Sequence, residues 1–412
     1  MASWLSEKQY WVDFPLLAKQ DEKRDPVIYL DNAATTLKPA EVLSAMNHYY
    51  VNDGASVHRG MYKLAQQATD EYEGVRKKVA KFINADEEEV IFTHGATESL
   101  NQICLMISEH LHKGDEVITT VIDHHSAVLP WMHQQDLGKC VVKRANIDPF
   151  DYQITKKTIA DQITNRTRVL SLNLASNVVG VVQKNLKEVI DFVHTKHIIV
   201  IVDATQAIPH QQIDVKELGC DFLVFSGHKM LGPTGVGVLY GKKALLDALS
   251  PVYYGGDMVS AVNGDKMVLQ EGVHRFEAGT PPVAEVIGLG AAIDYINNIG
   301  YDAIQAADQY FLDRLQATIF QIPGVVVYNA KDSWDIPIVS FNIKGVHSHD
   351  IITMYDEEGL CLRAGNHCAQ PFVEWLGAVY NGGTLRASFY FYNKPEDLTD
   401  FILTTKHIAQ CF

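Results

Sequence analysis

Chemistry in this 412-residue chain gathers around Lys229 in Ser226-Gly227-His228-Lys229 and Asp203 in Asp203-Ala204-Thr205-Gln206. A lysine amine condenses with an aldehyde. An aspartate holds a protonated ring nitrogen, and hydroxyls, imidazole and backbone N–H groups hold a phosphate. Together these groups describe a site for pyridoxal phosphate, whose ring serves as an electron sink. A lone lysine in a glycine-rich loop reads as surface; Asp203, Gln206 and His228 beside it argue for the cofactor. Further on, Cys368 sits between His367 and Ala369, beyond Gly365, where a loop can bend toward a substrate. A thiolate there is a nucleophile, and nearby cations or imidazole would favour it. Cys361, within Gly359-Leu360-Cys361-Leu362, reads as an inert thiol on a strand entering a core.

The elements that position these residues follow from hydrophobic pattern. His197-Ile198-Ile199-Val200-Ile201-Val202 precedes Asp203, and Phe222-Leu223-Val224-Phe225 precedes Ser226. Such short apolar runs suit strands buried on both faces of a parallel sheet. In open α/β sheets, ligand sites lie beyond the carboxyl ends of strands. Val27-Ile28-Tyr29-Leu30, Val90-Ile91-Phe92-Thr93, Glu116 to Val121 and Val169 to Leu174 read as further strands. After the second comes Gly95-Ala96-Thr97, a helix start whose free N–H groups suit a phosphate. After the third comes Asp123-His124-His125, where an imidazole could stack on a flat ring. After the fourth comes Asn177, which alone reads as a turn residue. Strands alternating with helical stretches from about 90 to 240 predict a mostly parallel sheet. A helix is expected over residues 6–20 with Ser6 as its cap, and another, after Ser56-Val57-His58-Arg59-Gly60, running to Ile83. Residues 253–281 read as a long irregular excursion. From about 300 a smaller α/β unit is expected, with helices Asp302 to Phe320 and Asp350 to Glu358 and strands near 325–328, 338–343 and 384–388. His347-Ser348-His349-Asp350 reads as a capped helix start more readily than as a metal site.

The separated motifs, with Arg363-Ala364-Gly365-Asn366-His367-Cys368-Ala369-Gln370-Pro371, resemble the class V aminotransferase family of fold-type I pyridoxal-phosphate enzymes. Within it they are similar to the group II, SUF-type cysteine desulfurases, from Tyr29-Leu30-Asp31-Asn32-Ala33-Ala34 to Arg386-Ala387-Ser388. The resemblance implies a large α/β domain over 26–299, built on a mixed, mostly parallel seven-stranded sheet. It also implies a small domain from 1–25 and 300–412 carrying the cysteine loop. Lys229 would hold pyridoxal phosphate covalently, Asp203 its ring nitrogen and Gln206 its ring oxygen, with His124 stacked on the ring. Ala96, Thr97, Ser226 and His228 would bind the phosphate, joined by Thr280 from a second subunit. Arg386 would anchor the substrate carboxylate, and Asn177 would face that carboxylate and the ring. Arg363, His58 and Arg59 would lie near the substrate, the last two at the active site of this or a neighbouring subunit. The implied reaction converts L-cysteine to L-alanine, leaves a persulfide on Cys368, and passes sulfur to a SUF acceptor protein for iron–sulfur cluster assembly. The chain departs from the usual pattern at Ala96, Asp123 and Asn366, where Thr, Glu and His are common. Selenocysteine lyase or another β-elimination on the same scaffold stays open.

Composition narrows the alternatives. Net charge is −15, from 35 basic and 50 acidic residues, which disfavours nucleic acid and anionic membrane as partners. Six scattered cysteines form no C-x-x-C pair, which fits a reducing cytoplasm. The N-terminal residues lack a secretory pattern, and no apolar run reaches the length of a membrane span. A metal hydrolase built on Asp123, His124, His125 and the His347–Asp350 cluster is the rival from another class; a catalytically silent scaffold is the third reading.

Overall fold

A computed structural model describes residues 9–18 and 27–412. Its strands, in chain order, are β1 (Ile28–Tyr29), β2 (Val90–Thr93), β3 (Glu116–Thr120), β4 (Val141–Ala145), β5 (Thr167–Asn173), β6 (Ile199–Asp203), β7 (Phe222–Ser226) and β8 (Gly237–Gly241). There follow β9 (Val259–Asn263), β10 (Lys266–Leu269), β11 (Val325–Val327), β12 (Ile338–Ile343), β13 (Leu360–Cys361), β14 (Arg363–Gly365) and β15 (Thr384–Ser388). Among the described residues, seven strands form the main sheet in the order β2-β8-β7-β6-β5-β3-β4. β3, β4, β5, β6 and β7 are mutually parallel, and β8 alone runs against both its neighbours. This is the mixed seven-stranded α/β sheet expected. Strands β2, β3, β7 and β8 are buried at every position, because helices cover both faces of the sheet.

Close backbone approach fixes one part of the site. A Cβ on Gly237 of β8 would stand 2.4 Å from the Gly95 Cα. Only glycine lets the loop before the Ala96–Ser108 helix lie against the sheet. The helix N-terminus is thereby set beside the carboxyl end of β7.

The C-terminal part builds a four-stranded antiparallel sheet, β11-β12-β15-β14. β1 pairs in parallel with β13, and Asp31 bridges to Ser388. The N-terminal chain thus runs along the small sheet before it enters the large one.

Two expectations are corrected. The helix expected over 6–20 is, where described, a 3₁₀ turn at Tyr10–Asp13 followed by a single helical turn at Pro15–Ala18. Pro15 pushes Phe14 into an extended conformation (φ −102°, ψ 108°) and starts a new turn. Ser6 and residues 19–26 lie outside the described residues. Within 253–281 the chain forms a hairpin, β9–β10, and a 3₁₀ turn at Gly272–Phe276. His347 caps the Ser348–Glu357 helix as expected, its ring accepting the His349 N–H. Among the described residues no helix is long and apolar enough to cross a membrane.

Candidate active site

A cavity of about 180 Å³ opens beyond the carboxyl ends of β3, β5, β6 and β7, where the large sheet meets β14 and β15. Lys229, Asp203, Gln206 and His124 line it, as do Asn177, Thr97, Ser226 and His228. Arg363, Arg386 and Cys368 reach it from the small sheet and its loop. Residues far apart in sequence converge because successive parallel strands all end at one edge.

The Lys229 side is a prepared cationic and acidic pair. Burial pushes the Lys229 amine down to about 8, with the Arg386 charge adding to the effect. A reactive amine fraction is therefore present near neutral pH. Asp203 is buried, and its Oδ1 accepts the Thr205 N–H at 2.9 Å. Burial raises its pKa, while the Thr205 hydrogen bonds and the Lys229 charge work the other way. Gln206 Oε1 and Asn177 Oδ1 are buried without a hydrogen-bond partner. Native interiors rarely leave such groups unmet, so this cavity is lined for a polar ligand. A protonated pyridine nitrogen suits Asp203, and a ring hydroxyl suits Gln206. The residues present fit pyridoxal phosphate.

His124 caps the helix His125–Asp136, its Nδ1 accepting from the Ser126 backbone (3.2 Å) and hydroxyl (2.7 Å). The ring proton is therefore on Nε2. Burial, then the Lys229 charge, pushes its pKa down to about 3. At the phosphate end, Ser226 Oγ accepts the Ala96 N–H at 2.8 Å. That amide is already engaged, so Ser226 also positions the helix start. Thr97 and His228 remain facing the cavity.

The opposite wall is cationic. Arg363 on β14 stands directly across from Arg386 on β15, a like-charge pairing that destabilises a sheet unless an anion lies between the two. Arg386 is 1% exposed. It donates to the Asn177 carbonyl (2.8 Å) and to Asp31 Oδ1 (2.9 Å), while its Nε–H is buried without an acceptor. Arg363 Nη2 lies 4.0 Å from Cys368 Sγ. Cys368 is exposed to the cavity mouth; Cys361 is paired with Tyr29 in the β1–β13 ladder, and burial raises its thiol pKa.

The Cys368 loop is held more firmly than its glycine-flanked sequence implied. Asn177 Nδ2 donates to the His367 carbonyl at 2.7 Å, and His367 Nε2 bonds Thr384 Oγ1 at 2.8 Å. Asp31, which orients Arg386, was not singled out from sequence; its partner lies 355 residues away, beyond any local pattern. His58, Arg59 and Thr280 do not reach this cavity. His58 bonds Glu73 at 2.9 Å and Arg59 pairs with Asp257 at 2.6 Å, around a separate pocket, and Thr280 is exposed. Asp123 accepts the Thr120 N–H (2.6 Å) and the Asn173 N–H (2.9 Å). Among the described residues, Asp123, His124 and His125 do not join the His347–Asp350 cluster in a metal-ligand set.

The buried histidines set an acid limit on the cofactor-free fold. Burial pushes His228 down to about 4 and His367 well below its ordinary value, with nearby cations adding to both. As pH falls below about 6.5, the unfolded chain takes up protons on these rings and on His124 while the folded chain does not. Stability is then lost with falling pH, by about 1.4 kcal/mol per pH unit for each ring. Buried Asp123, raised to about 7, works the other way over the same range, so the test is a difference: between pH 7 and 5 the Tm of His124→Gln should fall less with acidification than that of wild type. An equal slope in that variant would remove His124 from the account.

The pattern of the family described as aminotransferase class V matches residues 28–401. A probable cysteine desulfurase of Halalkalibacterium halodurans is 42% identical over 393 residues, covering 93% of each chain. The apo cysteine desulfurase of Thermococcus onnurineus NA1 superposes with a TM-score of 0.90 at 35% identity, covering 97% of each chain. The cysteine desulfurase CsdA (S-sulfonic acid) of Escherichia coli superposes with a TM-score of 0.89 at 35% identity, covering 98% of each. Matched along nearly its whole length by sequence and by fold, the chain belongs to the class V aminotransferase family.

Proposed function

We propose that this enzyme is a pyridoxal-phosphate-dependent cysteine desulfurase of the SUF type. It converts L-cysteine and the Cys368 thiol to L-alanine and a Cys368 persulfide, which an acceptor protein takes for iron–sulfur cluster assembly. The observation that carries this reading is a free thiol at the mouth of a lysine–aspartate cavity, 4.0 Å from one arginine and on the same wall as another.

When bound, pyridoxal phosphate supplies an aldehyde that condenses with amines and a ring that withdraws electrons from the amino acid. Lys229 Nζ holds the cofactor and, once displaced, moves the substrate α-proton. Asp203 would keep a proton on the ring nitrogen, Gln206 would hydrogen-bond the ring oxygen, and His124 would stack on the ring. Thr97, Ser226, His228 and the Ala96 end of the helix hold the phosphate. Arg386, helped by Asn177, binds the substrate carboxylate. Cys368 receives the sulfur beside Arg363. A large domain of 26–299 carries the cofactor residues, and a small domain of 1–25 with 300–412 carries the thiol. His58, Arg59 and Thr280 act in a homodimer, at the cavity of the second copy. Their distance from this cavity supports that reading, as do the exposed apolar Met61 and Val262. Scattered free thiols suit the cytoplasm. Selenocysteine would meet the same groups, and a rate comparison between the two substrates would rank them.

Mass mapping after one turnover with L-cysteine tests the proposal. A gain of about 32 Da, one sulfur atom, is expected on the Cys368 peptide with one equivalent of alanine; alanine without sulfur on Cys368 would defeat it. The carboxylate assignment has its own test. Arg386 has three N–H groups left after Asn177 and Asp31, and a carboxylate uses two of them in parallel. Arg386→Lys keeps charge but loses the fork. It should cost about 2 kcal/mol, roughly 30-fold, in kcat/KM, and unchanged kinetics would move the carboxylate elsewhere.

A further inference from the structure

His125 bonds to the Cys368 loop at two points. It is the first residue of the His125–Asp136 helix. Its backbone N–H donates to the Cys368 carbonyl at 2.7 Å. Its ring Nε2 accepts the Gln370 N–H at 3.1 Å. The roles assigned above do not use it. The loop needs such a hold, because His367 (φ 49°) and Cys368 (φ 56°) are successive non-glycine residues in the left-handed region. That conformation persists only where the surroundings impose it. Asn177 and Thr384 hold His367 and Arg363 reaches the Cys368 sulfur; among the described residues, His125 is the one that bonds the Cys368 carbonyl and the Gln370 N–H. A ring that accepts at Nε2 is neutral, and burial, with Arg144 adding, lowers the His125 pKa and favours that form.

We propose that His125 is a positioning residue for sulfur transfer: by clamping Cys368 and Gln370 to the end of the large sheet, it holds the thiol at the Lys229 cavity. This rests on Cys368 being the sulfur acceptor. Gripping the carbonyl of the residue that bears the sulfur limits its excursion, and a displacement of about 1 Å can cost about 100-fold in rate.

Three variants separate the two contacts. His125→Gln keeps an acceptor at similar reach and keeps the N–H. His125→Leu removes the acceptor alone. His125→Pro removes both, at a first helical position where proline is favoured. The preceding His124 (φ −66°, ψ 148°) already has the backbone that proline requires. Hydrogen exchange of residues 366–372 and steady-state kinetics with L-cysteine are measured on the cofactor-loaded proteins. Gln should stay within about 2-fold of wild type. Leu should speed exchange and lower kcat about 5- to 10-fold, one hydrogen bond's worth, with KM within about 2-fold. Pro should lower kcat about 100-fold with full cofactor loading. Wild-type exchange and kcat in Leu and Pro would overturn the proposal, as would Gln falling as far as Leu. If Pro does not fold, the Gln–Leu pair decides. Absence of persulfide on wild-type Cys368 would instead sink the parent reading, and the exchange data would still report the clamp.

Discussion

Cys368→Ala loses sulfur transfer by about three orders of magnitude or more, while the visible absorption of the bound cofactor and its change on adding L-cysteine stay intact. The reasoning is positional. Cys368 lines the Lys229 cavity, and its Sγ has Arg363 at 4.0 Å. In the proposed reaction it receives the sulfur and holds no part of the cofactor, so its loss removes one step and leaves binding. Cys361→Ala is the control. That thiol sits in the β1–β13 ladder, half-buried, with burial raising its pKa, and its truncation should cost about 1 kcal/mol of stability and little activity. Mass spectrometry and sulfide release measure both variants. Turnover of Cys368→Ala at the wild-type rate, or sulfur mapping to Cys361, would overturn the assignment.

The strand ends were legible because a strand buried on both faces has few options: it must be apolar throughout, and its last residue is then conspicuous. Asp203 and Ser226 stood out in this way, and both end strands. The links between distant segments were not legible. No local pattern shows that Asp31 holds Arg386, that Arg363 opposes Arg386, or that Ser226 takes the Ala96 N–H; these are products of sheet register. The β9–β10 hairpin did carry a signal, Gly264-Asp265 at its turn with Gly264 at φ 60°, a favoured two-residue hairpin loop. Its strands are largely exposed, so they lack the strict alternation that marks a half-buried strand. The hold on the Cys368 loop was hidden for a related reason. Gly365 suggested freedom, but one backbone and one ring bond from His125 and side-chain bonds from Asn177 and His367 override it.

Lys229→Ala is expected to give the largest loss, about four orders of magnitude or more in turnover, with the cofactor no longer attached to protein after borohydride treatment. In the proposed reaction two duties rest on one nitrogen. It must be unprotonated to condense with an aldehyde, and burial with the Arg386 charge supplies that by pushing its pKa down to about 8. It must later carry a proton, which needs a pKa near the working pH. Lys229→Arg separates the charge from the chemistry. A guanidinium keeps the cation but stays protonated at any working pH, so it should fail as badly as alanine. The same pKa predicts the pH course of cofactor capture by the empty protein. The amine fraction rises through pH 8 and falls tenfold for each unit below about 7, so capture at pH 6 should be about tenfold slower than at pH 7. Borohydride trapping and peptide mapping read all three results. A label on another lysine, or capture independent of pH between 6 and 8, would remove Lys229 from the centre of the site.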